Sequence, residues 1–247
     1  LSTSLKIDTI TTMEGLDVMF LKSGTTIQQS VDGVTWYDIG VTRTAAEREF
    51  FHFIEKDMFA TNVTDSFLRI TVSSANGAIG DSDSTITVRT GDIGKFTTSG
   101  NIYIRGDVIA YTGKNSTQLT GVSGIISGGH PIGSIITQTS TPSGAPKGSS
   151  VSDFLGSPLV GGQSTAKNAL YNSAQQNVDN PELSYDFSAN GAGKKAMPSD
   201  ITALHKSTSV VIIGMERGID YVRGFELDTG KLLTSTITSS HGVPNAF

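Results

Sequence analysis

Several groups of residues have types that chemistry would need, and their spacing decides what they can do. Asp81, Asp83, Thr85 and Asp92 fall at the first, third, fifth and twelfth places of a calcium loop. The sixth place of such a loop needs Gly for its sharp turn, but here it is Ile86, and Asp92 stands where a bidentate Glu is usual. Solvated turn carboxylates are therefore the simpler reading. The histidines His52, His130, His205 and His241 form no i, i+2 or i, i+4 pair and sit in no H-E-x-x-H setting, so a metal or a general base has no local support. Gly121-Val122-Ser123-Gly124 is one residue short of a nucleophile elbow, and no G-x-x-x-x-G-K-S/T phosphate loop occurs. A glycosidase can draw its two acids from distant strands, but no pair of carboxylates stands out.

Asn62-Val63-Thr64 and Asn115-Ser116-Thr117 match the glycosylation pattern, as chance allows in a Thr-rich chain. Arg105-Gly106-Asp107 spells the integrin-binding tripeptide; between two alternating strands, its Gly supplies the positive φ of an ordinary reversal. Trp36 with Tyr37 is the one strong aromatic pair, flanked by Asp32 and Asp38. Such a pair anchors a core or stacks on a sugar, and its amphipathic rings suit either role. With no Cys there are no disulfides, thiolate metal sites or cysteine nucleophiles. The expectation is a chain with no catalytic residue, no cofactor and no metal, in which Trp36 and Tyr37 are the candidates for a glycan or interface contact.

The elements that would position these residues are extended. Leu5, Ile7, Ile10, Leu16, Val18 and Phe20 recur mostly at spacing two, the period of a half-buried strand. Asp32-Gly33 between TIQQSV and VTWYDI predicts a hairpin. Residues 45–59 carry both a helical stripe (Phe50, Ile54, Met58) and a Phe-rich run; a strand over Phe50–Ile54 fits the β-rich surroundings better. Five short runs, STITVRT, NIYIR, DVIAYT, TQLTGV and SIITQ, are punctuated by Gly and suit a small barrel or sandwich. In residues 140–195 the Pro, Gly and Ser content predicts a linker or partner-wrapping segment. It allows one helix at 165–176, capped by Ser164, with Ala166, Ala169, Leu170 and Ala174 on one side. Strand character returns at Val210 to Ile213, through Tyr221 to Leu227 and, after a turn at Asp228-Thr229-Gly230, from Leu232, which predicts a meander.

Composition supports this picture. Among 247 residues there are 30 Ser, 30 Thr and 28 Gly against 36% apolar residues, so several small cores are expected rather than one thick one. The expected fold class is mainly β, with two or three small antiparallel modules of sandwich or barrel type and a long Gly/Ser/Pro-rich connector. The expected divisions are a sandwich-like module over 1–80, a barrel over 81–139, the connector over 140–195 and a meander over 196–247. A net charge of −5, with no basic cluster longer than Lys194-Lys195, argues against nucleic acid and against a basic membrane patch. No apolar run approaches the roughly 20 residues of a membrane span, and the opening LSTSLKIDTI lacks the regions of a signal peptide.

Residues 94–138 resemble a small β module of tail and head-to-tail proteins in tailed bacteriophages. The likeness rests on Ile109, Tyr111, Thr112 and Gly113, on Leu119-Thr120-Gly121-Val122, and on His130 with Gly133 before the last strand. The chain departs from that pattern at Arg105 and at Ser123-Gly124. SVDGVTWYDIG is similar to a strand-turn-strand of discoidin-like sandwiches, and residues 204–230 resemble a β-propeller blade. The resemblance implies a virion structural component of the tail, collar or fibre-attachment region. It would act by binding copies of itself and other virion proteins and transfers no catalytic residue. The alternative is a carbohydrate-binding or glycan-processing adhesive module, with a host-surface glycan as partner and Trp36, Tyr37, Asp32 or Asp38 facing it.

Overall fold

The computed structural model describes residues 7–13, 16–54, 57–126, 128–174, 185–189, 191–225 and 232–237. The chain forms two compact units: unit 1 comprises Leu1–Ala46 and Ile70–Ser140, and unit 2 comprises Glu47–Arg69 and Thr141–Phe247. The fold is almost entirely β, built from small antiparallel sheets. Among the described residues the helical content is a single 3-10 turn, Ile93–Lys95.

Unit 1 opens with an antiparallel meander, β1 (Ile7–Met13), β2 (Leu16–Ser23), β3 (Thr26–Ser30) and β4 (Tyr37–Thr42), paired in sequence order. Its alternation points Val18, Phe20, Ile27 and Ile39 inward, all fully buried. The chain enters this unit again through β7 (Leu68–Ser74). The five Gly-punctuated runs all become strands, but they divide between two sheets. One holds β9 (Gly100–Ile104), β10 (Asp107–Tyr111) and β13 (Ile135–Ser140), in the order β10-β9-β13-β7. The other is small, formed by β8 (Thr85–Thr87), β11 (Gly113–Lys114) and β12 (Gln118–Thr120). One core joins them, centred on Ile86, Phe96, Ile102, Ile109, Leu119 and Ile136. Each such buried side chain stabilises the unit by roughly 1.5–3 kcal/mol.

Two features set the sandwich geometry. A Cβ on Gly40 in β4, whose φ is +69°, would fall inside the Tyr103 ring of β9, so the sheets approach there at a distance only Gly permits. The Thr137 hydroxyl of β13 donates to the Gln29 side-chain oxygen of β3, satisfying two buried polar groups at once.

Unit 2 is a stack of sheets. Its first layer is the hairpin of β5 (Phe50–Ile54) and β6 (Asp57–Thr61). The second is the meander β14 (Ser150–Phe154), β15 (Ser157–Gln163), β16 (Ala166–Asn172) and β17 (Gly193–Ala196). The third is the meander β18 (Ile201–Lys206), β19 (Val211–Met215), β20 (Gly218–Phe225) and β21 (Leu232–Ile237). Between the first two layers lie Phe59, Phe67, Val151, Val160 and Tyr185. Phe59 stacks on Phe67 at 5.1 Å between centroids and meets Tyr185 edge-on at 4.7 Å. Between the second and third lie Leu159, Leu170, Ile201, Val211, Ile213 and Val222.

Three expectations are corrected here. The proposed helix at 165–176 is strand β16 over Ala166–Asn172; its last two residues, Gln175 and Gln176, lie outside the described set. Ser164 does not cap a helix: it sits in the turn between Gln163 and Ala166, which pair directly. Helix propensity is a weak prior, and here the sheet wins because Ala169 and Leu170 bury completely between layers. The expected linker at 140–195 instead contains strands of the second sheet, of which β14 and β15 are almost wholly buried. Its glycines are there for close packing: a Cβ on Gly161 would lie 3.0 Å from Ile201 of the facing layer. The Phe-rich segment 47–69 packs with unit 2 rather than with an N-terminal module, because Phe59 and Phe67 are buried with Val151 of β14 and Val160 of β15.

Candidate functional site

The local structure around Tyr37 builds a cleft of about 400 Å³ in unit 1, lined by Ser30, Asp32, Thr35, Tyr37, Arg105 and Ser134 among others. Three segments contribute: the β3–β4 loop, the β9–β10 turn and the start of β13. The first is held by Asp32. Its Oδ1 accepts the backbone N–H groups of Val34 and Thr35, each at 2.8 Å, and the Ser30 hydroxyl at 2.9 Å; its Oδ2 accepts the Thr35 hydroxyl at 3.1 Å. The expected Asp-Gly hairpin is therefore wider than a two-residue turn, with β3 ending at Ser30 and β4 starting at Tyr37. The backbone donors of Thr35 and Val34, then the Ser30 hydroxyl, hold the Asp32 carboxyl far below the usual carboxylate range. Val31 and Val34 project from this loop at 56% and 82% exposure.

The second segment is the Arg105-Gly106 turn. Ile104 pairs with Asp107, leaving a two-residue loop with φ of +50° at Arg105 and +89° at Gly106, the type I′ geometry that matches strand twist. A Cβ on Gly106 would lie 3.5 Å from Tyr37 Cδ1, so the aromatic ring rests against the turn. Asp107, the next residue, turns instead to His130, with Oδ2 3.1 Å from Nε2. The approach is close, but the His130 nitrogen makes no well-aligned hydrogen bond. At the third segment Ser134 is 4% exposed, and its hydroxyl has no hydrogen-bond partner among the described residues.

The residues singled out from sequence separate clearly. Tyr37 lines the cleft, whereas Trp36 is half-buried in the preceding loop and does not. Asp38 is exposed and accepts the Gly40 N–H at 2.7 Å. The calcium-like positions scatter: Asp83 accepts the Gly80 N–H, Ile86 is buried in β8, and Asp92 is buried with Ser73 and Lys95 at 2.9 Å each. Asn62 is fully buried, its amide donating to Glu49 and Asp65. Asn115 closes a turn on the N–H groups of Thr117 and Gln118. His205 is exposed on β18, and His241 lies outside the described residues.

Unit 2 contains an ionic cluster that spans its layers and that sequence reading missed. Asp153 of β14, 2% exposed, accepts from His52 Nε2 of β5 at 2.9 Å and from Lys206 Nζ of β18 at 2.7 and 2.8 Å. Burial alone would raise the Asp153 carboxyl, but hydrogen bonds from His52 and Lys206 outweigh it and hold the group below the ordinary carboxylate value. The cluster ties one strand of each layer to the next. Both carboxylate oxygens are engaged, which suits an anchor rather than a proton-transfer group.

The third layer has two unlike faces. Val211, Ile213, Met215 and Val222 point into the stack and are buried. Alternation puts Ile212, Ile219 and Tyr221 on the opposite face, where Ile212 pairs with Tyr221 and Ile219 with Ile237. The first three are half-buried and Ile237 is 44% exposed.

No family model matches the sequence, and no curated protein matches it. Among solved structures it is similar to Kluyveromyces lactis Hsv2 (complete loop 6CD), at 8% identity over 94% of this chain and 63% of that one, with a TM-score of 0.28. The chain thus spans less than two thirds of that protein's length. Among the described residues, no helix is long and apolar enough to cross a membrane.

Proposed function

We propose that this chain is a structural component of a larger particle, a tailed-phage virion protein of the tail, collar or fibre-attachment region, acting by subunit binding rather than bond-breaking. The observation that carries this reading is the outer face of the third layer of unit 2. β14, in the middle layer, is buried at every position, whereas β18, in the terminal layer, is exposed at Thr202, Ala203, His205 and Lys206. The terminal sheet also presents Ile212, Ile219, Tyr221 and Ile237 on its outer face, where the described residues of unit 2 stack no further sheet. Sheets pack face to face at about 10 Å, and such a face is stabilised when another sheet covers it. The occupant proposed is a second copy of the chain.

Ile219→Lys and Tyr221→Lys test this directly. Each is expected to leave the circular dichroism spectrum intact and to shift the sedimentation profile to monomer. Unchanged oligomers in both variants would remove the face from the account. For the virion assignment, peptides of the chain should be recovered from density-purified particles; their absence there would refute it.

A second reading, an adhesive saccharide-binding module, is favoured by one observation: Tyr37 stands in the wall of a polar cleft beside hydroxyl and charged groups.

A further inference from the structure

The two charged residues of the unit 1 cleft are in different circumstances. Asp32 spends its lone pairs on four donors of its own loop. Arg105 is exposed, lines the same cleft and has no salt bridge or hydrogen bond among the described residues. A guanidinium offers five N–H donors in a planar fork that matches a carboxylate edge. Its backbone adds a second signal: with φ at +50°, Arg105 occupies the first place of a type I′ turn, where Asn, Asp or Gly is favoured. A side chain in αL costs roughly 1–2 kcal/mol, and local strain of this kind concentrates at ligand-binding positions. The remaining wall is an aromatic ring, Tyr37, with the hydroxyl-bearing residues Ser30, Thr35 and Ser134. Ser134 adds a buried hydroxyl lacking a partner, the kind of group that calls for an explanation.

From this geometry, and resting on the saccharide-binding reading, we infer that the cleft takes a carboxylate-bearing saccharide, its carboxylate on Arg105 and its ring on Tyr37. A volume of about 400 Å³ lies in the lower part of the roughly 300–1,000 Å³ range of small-molecule sites, suited to one or two sugar rings. A neutral saccharide would leave the guanidinium without its complement, and a simple inorganic anion would leave the aromatic wall uncovered. A carboxylated pyranose satisfies both. Sugar hydroxyls would then face the Thr35 hydroxyl, whose oxygen donates to Asp32 and keeps acceptor capacity.

The test uses the full chain and four probes: glucuronic acid, N-acetylneuraminic acid, glucose and sodium sulfate. Binding is followed by saturation-transfer NMR and by emission of Trp36, the single Trp, which adjoins Tyr37. The acidic sugars are expected to bind at about millimolar Kd, with glucose and sulfate at least ten-fold weaker. Arg105→Gln should weaken the acidic sugars about ten- to hundred-fold while leaving glucose unchanged, and Arg105→Lys should recover part of the loss. Tyr37→Ala should weaken both sugar classes. Equal binding of glucose and the acids, or no effect of Arg105→Gln, would overturn the carboxylate assignment while sparing the saccharide reading. Absence of binding by every sugar would overturn both, and sulfate binding as tightly as the acids would reduce the site to a bare anion contact.

Discussion

Gly40→Ala tests the packing that positions the cleft. Gly40 sits in β4 three residues after Tyr37, and its N–H is held by Asp38. Two costs follow from the structure. The first is conformational: at φ of +69° an Ala side chain costs roughly 1–2 kcal/mol. The second is steric, because the new methyl would overlap Cε1, Cζ and Oη of Tyr103, forcing the ring or the strand to move at roughly 1–3 kcal/mol. Together the loss is about 2–5 kcal/mol. Urea unfolding followed at Trp36 reads it in unit 1, and a double-mutant cycle separates its parts. In a Tyr103→Ala background only the conformational cost should remain, so the coupling between the sites is expected at about 1–3 kcal/mol. A Gly40→Ala loss below about 0.5 kcal/mol, or equal losses in the two backgrounds, would refute the close approach of β4 to β9.

Asp153→Asn removes the negative charge that His52 and Lys206 share and puts an NH2 donor in place of one carboxylate oxygen. Breaking a buried pair costs roughly 3–5 kcal/mol, reduced here to about 1–3 because the Lys206 side chain is 51% exposed. The pH dependence has a definite sign. A carboxyl held below its ordinary pKa stabilises fully above that ordinary value and loses the contribution as pH falls through the folded value. Wild-type stability should therefore drop below about pH 4 more steeply than that of Asp153→Asn, as read by thermal melts across pH 2–6. Arg105→Asn places the favoured residue in the type I′ turn and should raise stability by about 0.5–1 kcal/mol while abolishing acidic-sugar binding; destabilisation would show that Arg105 is needed for the turn itself. Phe59→Ala, at a fully buried position between two aromatic neighbours, should cost about 3–5 kcal/mol in denaturant unfolding, and a loss under 1 kcal/mol would contradict the first interlayer core.

Where local chemistry decided the outcome, the sequence could be read. Alternation and Phe content placed β5 at Phe50–Ile54, and Gly106 between alternating strands marked the Arg105-Gly106 reversal. Where tertiary packing decided it, the sequence misled. Gly161 resembles linker composition, yet its missing side chain makes room for Ile201. The Ala-rich run after Ser164 has acceptable helical spacing, and only the facing layers show why Leu170 belongs to a strand. The sites divide in the same way. In the sequence Tyr37 stands out only as half of an aromatic pair suited to a core or to a sugar, and the cleft needs Arg105 and Ser134, which lie about seventy and a hundred positions onward. His52, Asp153 and Lys206 are separated by 101 and 53 residues, so no periodicity joins them before the sheets stack.

The central claim, that this chain works by offering sheet surface to neighbours, is tested most directly by its mass in solution across concentration. Sedimentation equilibrium of the full chain from about 1 to 100 µM, where ordinary protein interfaces assemble, is expected to show reversible association that Ile219→Lys abolishes. A folded chain that sediments as a monomer throughout that range would contradict the account.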